Sequence, residues 1–155
     1  MGKNFIKPHL MTLGADFSQK NIILNNKKIQ FQIWDIAGQD NFKQVRGRFL
    51  NKASGVLVVY DLSRLETFDA ISKWLRELWA VNNRTDIPVL VVGNKLDLIQ
   101  KQFHDAKRIT IGLDHLQRYL DNNSYLGHIK TSAKTGENIE NCFRTLSETL
   151  MNSNT

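Results

Sequence analysis

The chain has 155 residues, 41% of them hydrophobic, with 21 Lys and Arg against 15 Asp and Glu for a formal charge of +6. That size suits one globular domain over residues 1–155 with a core large enough to fold alone. One cysteine, Cys142, excludes an internal disulfide and fits a reducing, cytoplasmic setting, and no apolar stretch is long enough for a transmembrane helix.

The N-terminal MGKNFIKPHL lacks the apolar core of a secretory signal, and the C-terminal LMNSNT has no cysteine for prenylation, so no lipid anchor is read. Phe17 to Leu24 reads as a strand, Asn25-Asn26 as a hairpin turn, and Lys27 to Trp34 as the antiparallel return, because Asn tolerates the positive φ of such turns. The alternating Ile29, Phe31 and Ile33 lead into WDIAGQDNF, residues 34–42. There a carboxylate, a glycine and an amide follow one another at a strand's carboxyl end, where open α/β sheets bind ligands. Lys43, Arg46, Arg48 and Lys52 come next and read most simply as exposed helix charges.

Residues 54–60, SGVLVVY, form a continuous apolar run of the kind buried on both faces, ended by Asp61. Ser63-Arg64-Leu65-Glu66 has the capping-box pattern, and Phe68, Ile71, Leu75 and Leu78 at helical spacing predict one long helix through Val81. Pro88 to Val92 repeats the buried-strand pattern and runs into Gly93-Asn94-Lys95-Leu96-Asp97. Leu113, Leu116 and Leu120 suggest a further helix, His128 to Thr131 a short strand entering Ser132-Ala133-Lys134, and Ile139, Cys142, Phe143, Leu146 and Leu150 a last amphipathic helix. Strands alternating with helices imply an α/β fold in three layers, with a mostly parallel sheet and one antiparallel edge.

Three strand ends thus carry polar clusters. A polar loop is the bland account of Asn94, Lys95 and Asp97 taken alone. Yet a carboxylate held rigidly after a buried strand accepts two hydrogen bonds from the N1 and N2 hydrogens of guanine, where adenine presents an acceptor at N1. Asp97 would therefore discriminate between the purines, the Lys95 stem would cover a base face, and Asn94 would tie neighbouring loops together.

WDIAGQ, NKLD and TSAK in this order, with TLGADF upstream, resemble the Ras-superfamily small GTPases, and among them the Rab branch, over residues 5–152. The resemblance implies a P-loop NTPase-like small G protein fold and a GTP/GDP switch that binds guanine nucleotide with Mg2+ and hydrolyses GTP. It implies that Thr12 serves the γ-phosphate and the magnesium, that Asp35 reaches the magnesium through water, that the Gly38 amide donates to the γ-phosphate, and that Gln39 orients the attacking water. It makes Asn94, Lys95 and Asp97 the guanine reader, steadied by Ser132, with the Ala133 amide on the guanine carbonyl, Lys134 as a second covering stem, and Phe5 edge-on near the base. Effector, exchange-factor and GTPase-activating proteins, with an arginine finger supplied in trans, are the implied partners of a monomer.

The first residues depart from the family pattern. Gly2-Lys3 is not G-x-x-x-x-G-K-[ST], and Asn4 stands where a magnesium-binding hydroxyl is required, so the first strand, the phosphate loop and nearly all of the first helix are not among these residues. The expectation is an incomplete gene model or an internal start codon, with very weak GTP binding and negligible hydrolysis by the polypeptide as written. In the family the first strand lies between the strands ending at Asp35 and Asp61, so two apolar edges should face a gap, which direct pairing of those strands could close. His9 and Met11 also replace the usual first-switch tyrosine and proline. The competing function is a nucleotide-independent interaction module. A nucleic-acid binder, suggested by a pI of about 9.6, lacks any basic stripe interleaved with aromatics.

Overall fold

Asn25 and Asn26 both adopt positive φ, 50° and 60°, and close a two-residue turn between β1 (Ala15–Leu24) and β2 (Lys27–Ile36). Such a turn matches the twist of the strands it joins, which is why the Asn pair sets the register, Leu24 opposite Lys27 and Ala15 opposite Ile36. The computed structural model describes residues 15–36, 43–64, 66–83, 86–99 and 124–152. The helix expected around Leu113, Leu116 and Leu120 lies outside them.

A short helix α1 (Lys43–Leu50) precedes β3 (Val56–Asp61), which is followed by α2 (Glu66–Asp69), α3 (Ile71–Asn82), β4 (Val89–Asn94) and α4 (Leu96–Ile99). After the next described stretch begins come β5 (Tyr125–Lys130) and α5 (Ile139–Asn152). β3, β4 and β5 form a parallel sheet in that order, with Tyr60 opposite Gly93 and Val91 opposite His128. β4 is the central strand and Val89, Leu90 and Val91 have no exposed surface. One face presents Val89 and Val91 to Phe68, Ile71, Leu75 and Leu78, and the other presents Leu90 and Val92 to Cys142 of α5. Each fully buried aliphatic side chain here contributes roughly 1.5–3 kcal/mol.

This is the mixed α/β architecture expected from the sequence, with a parallel sheet and an antiparallel pair. Several expectations are corrected. Among the described residues β1 and β2 pair only with each other, and no pairing of β2 with β3 closes the gap. Val59, on β3, is 58% exposed although it sits in the middle of an apolar run. The long helix is divided at Ala70, whose carbonyl accepts from both the Lys73 and Trp74 amides, a bifurcated turn between α2 and α3. The Ser63 hydroxyl donates to the Asp61 carboxylate rather than capping a helix amide, and Asn83 in the left-handed conformation closes α3.

Arg46 is a further correction. Its side chain is 1% exposed, and it donates from Nε and Nη2 to the two oxygens of Glu77 at 2.9 and 3.1 Å. The guanidinium also lies 5.2 Å from the centre of the Trp74 ring. A planar fork matched to a carboxylate and stacked on an aromatic is the arrangement in which arginine tolerates burial. Arg46 therefore fastens α1 to α3 and is not a solvated surface charge.

Candidate functional site

The carboxyl ends of β4 and β5 meet in one hydrogen-bonded cluster. The Thr131 amide donates to the Gly93 carbonyl at 2.7 Å and the Leu96 amide to the Thr131 carbonyl at 2.9 Å, so the two strands continue their pairing into the loops beyond them. Lys95 turns between them with φ 67°, a left-handed backbone uncommon for a residue with a side chain.

Side chains complete the cluster. Asn94 Oδ1 accepts from the Ala133 amide at 3.0 Å and the Thr131 hydroxyl at 3.4 Å, joining the two loops. The fully buried Ser132 donates from Oγ to Asp97 Oδ1 at 2.6 Å and accepts from the Thr135 amide at 3.2 Å. Asp97 is thus held by one oxygen while its other oxygen has the Lys134 ammonium 3.9 Å away, an exposed pairing of small energetic weight. The β5 loop is itself braced, with the Gly136 amide donating to the Ser132 carbonyl and Asn138 Nδ2 to the Lys130 carbonyl.

Six of the residues expected in the site are therefore brought together: Asn94, Lys95, Asp97, Ser132, Ala133 and Lys134. The Ala133 amide hydrogen is already engaged by Asn94, so a ligand carbonyl would share that donor. Asp35 stands near the end of β2, in the other sheet, opposite Asp16 in register. Phe5, Thr12, Gly38 and Gln39 lie outside the described residues.

Asp61, in the sequence only the residue that ends an apolar run, joins this cluster. It is 6% exposed and collects the Ser63 amide and hydroxyl on Oδ1, and Arg64 Nε and Lys95 Nζ on Oδ2, the last at 2.7 Å. Burial pushes this carboxyl up, but the Lys95 ammonium, the two Ser63 donors and Arg64 outweigh it and hold the group well below the usual carboxylate range. The available signal was positional, since Asp61 follows a buried strand just as Asn94 does. Beneath the cluster, the Tyr60 hydroxyl lies 3.0 Å from His128 Nε2, reaching over Gly93 of the strand between them. A Cβ on Gly93 would come within 2.8 Å of Leu62 and 3.0 Å of that hydroxyl, so only glycine leaves room for the crossing.

A second surface feature lies on the outer face of the hairpin. Phe17 and Trp34 are 42% and 44% exposed with ring centres 4.9 Å apart, and Phe49 of α1 stacks on Trp34 at 4.5 Å.

Residues 1–152 match the Ras family. The chain belongs to that family. It is 35% identical to the GTP-binding protein ypt3 of Schizosaccharomyces pombe over 135 residues, which are 87% of this chain and 59% of that protein. It is 36% identical to the Ras-related protein Rab-10 of Diplobatis ommata and 35% to the Ras-related protein Rab-1A of Dictyostelium discoideum, in each case over 92% of this chain and 66% of the relative. These relatives make it a Rab-like member of the Ras superfamily, a group of GTP-binding switches. The chain spans about three fifths to two thirds of their length.

Proposed function

We propose that this chain is the guanine-reading part of a Rab-like GTP/GDP switch. The observation that carries the reading is the Asp97 carboxylate, fixed by Ser132 through one oxygen at the mouth of two interlocked loops. A carboxylate so placed accepts the paired N–H groups of guanine and repels the ring acceptor of adenine. Asn94 keeps the two loops in register, and in this reading the stems of Lys95 and Lys134 would cover the purine's faces.

In the same reading Thr12 and Gly38 meet the γ-phosphate, and Gln39 orients the water that attacks it. Magnesium, when bound, neutralises charge on the phosphates, and the oxygens of Thr12 and of Asp35, the latter through water, would hold it. The fit is chemical: these are hard oxygen donors. Among the described residues no group of three His, Cys, Asp or Glu could hold a metal ion. Among the described residues no helix is long and apolar enough to cross a membrane. That residues 1–155 form one monomeric domain in the cytoplasm is the accompanying proposal, resting on the lone Cys142 and on the Ras-family match over residues 1–152.

The 155 residues contain no G-x-x-x-x-G-K-[ST], so this polypeptide by itself lacks the backbone nest and lysine that supply most phosphate affinity. Calorimetry should therefore find weak binding of GDP, weaker binding of ADP, and negligible GTP turnover. Submicromolar GTP affinity would overturn the statement about this polypeptide, and equal affinity for GDP and ADP would overturn the guanine reading.

A second reading, a nucleotide-independent interaction module, draws support from the row of Phe17, Trp34 and Phe49 and from the Arg46–Glu77 clamp beneath it. Exposed aromatics on a surface whose helix is already fastened suit a partner with an apolar face. Capture of such a partner that is indifferent to GDP and EDTA would favour this reading; capture that follows the nucleotide would favour the switch.

A further inference from the structure

Asp61 closes β3 as Asn94 closes β4, and the two are register partners. The turn after β3 is built around its carboxylate: Ser63 caps Oδ1 twice, and Thr67 Oγ1 accepts from the Asp61 amide at 2.9 Å and donates to the Arg64 carbonyl at 2.6 Å. The group is a fixed post, almost wholly buried, with Oδ2 turned toward the neighbouring loop.

Lys95 is what that post holds. Its left-handed backbone is a conformation that persists only where the surroundings over-determine it. The main chain supplies part of that determination, through the Leu62 amide on the Asn94 carbonyl and the Leu96 amide on the Thr131 carbonyl, both at 2.9 Å. Asp61 supplies the rest through the ammonium. Lys95 stands two residues from Asp97, yet among the described residues the cation paired with Asp97 is Lys134, at 3.9 Å, while Lys95 lies 2.7 Å from Asp61. An ammonium released from Asp61 would have in Asp97 the nearest alternative carboxylate along its own loop. Pairing there would occupy the oxygens that a purine's N–H groups need.

We propose that Asp61 is a positioning residue of the base-reading site: by holding Lys95 Nζ it keeps that cation off Asp97 and keeps the lysine stem along the purine's place. The inference rests on the guanine reading of Asp97 given above. It assigns to Asp61 no contact with the nucleotide.

The test uses the full 155-residue chain and NMR titration with GDP and ADP, which registers weak binding. Asp61→Asn should weaken GDP about tenfold, the scale of one lost charge-assisted interaction, and shrink the preference for GDP over ADP. Arg64→Gln, which removes the other, exposed partner of Oδ2, should change neither quantity. Lys95→Met keeps an apolar stem and carries no charge, so in the Asp61→Asn background it should restore the preference for GDP. A purely structural Asp61 would show no such restoration. The proposal is overturned if Asp61→Asn reads GDP over ADP as the parent does, or if Lys95→Met fails to restore that choice in the Asp61→Asn background. Should the parent chain bind no GDP, the guanine reading falls, and Asp61 is judged without nucleotide. Contacts of the Lys95 ε-protons with residue 61 should then give way to contacts with Asp97 in Asp61→Asn, and an unmoved lysine overturns the inference.

Discussion

The parallel sheet and the antiparallel hairpin are built from similar numbers of β-branched and aromatic residues, yet they end in opposite states. β4 lies between two strands and under two helical layers, and its side chains are buried on both faces. The hairpin keeps only Ile22 and Leu24 buried, with Phe31 edge-on to Phe143 of α5, and leaves Phe17, Ile23 and Trp34 in solvent. The difference teaches where precision comes from. Loops that leave a strand clamped on both sides inherit its rigidity and can hold Asp97 and Asn94 against one another, whereas a two-stranded ribbon alone is marginal and offers surface instead.

The largest expected effect breaks the link between the two regions. α1 touches the hairpin through Phe49 and is fastened to α3 through Arg46, so Arg46→Ala should strand Glu77 as a buried unpaired charge. Chemical denaturation should show a loss of about 3–5 kcal/mol, and Arg46→Met with Glu77→Leu should recover most of it. A loss below about 1 kcal/mol, the scale of an exposed pair, would mean that Arg46 is solvated in solution.

Next in size is a test of the crossing above β4. Gly93→Ala forces Leu62 and the Tyr60 hydroxyl apart from their places and should cost about 1–3 kcal/mol by overpacking. It should also disturb the amide resonances of Asn94 and Lys95 more than those of the hairpin. An unchanged unfolding midpoint would show that the sheet has slack the geometry denies.

Acid should then separate the regions by pH. Burial, and secondarily the charge of Lys130, lowers the His128 imidazole from 6.5 to about 4. The folded state therefore favours the neutral ring. Between pH 6.5 and 4 the unfolded chain binds more protons, so stability is complete above 6.5 and declines as the pH falls through that window. His128→Gln should flatten the fall in Tm across this range. Asp61, held low, adds its own loss only below its ordinary value of 3.8, which keeps the two effects apart. The smallest effect belongs to the hairpin surface: Ile23→Thr, at a side chain 73% exposed, should move stability by no more than about 0.5 kcal/mol.

What the sequence made legible was local. The Asn25-Asn26 turn, the two buried runs and the last amphipathic helix are signalled within a few residues, by positive-φ chemistry and by periods of two and 3.6. The cluster of Asn94, Asp97 and Ser132 was legible because strand ends on one edge of a parallel sheet come together. What stayed hidden depends on distant partners. Arg46 reads as a surface charge until Glu77 and Trp74 appear beside it, 31 residues away or nearly so. Asp61 gains a role only when Lys95 arrives from the next strand, and the separation of the two sheets depends on pairing that no local pattern records.

The most direct measurement is a pair of NMR titrations of the amides of residues 94–97 and 131–134, one with GDP and one with ADP, on the parent chain and on Asp97→Ala. The account predicts that GDP shifts both loops together, that ADP shifts neither at the same concentration, and that Asp97→Ala erases the difference. Equal shifts with both nucleotides in the parent, or a preference for GDP that survives Asp97→Ala, would contradict it.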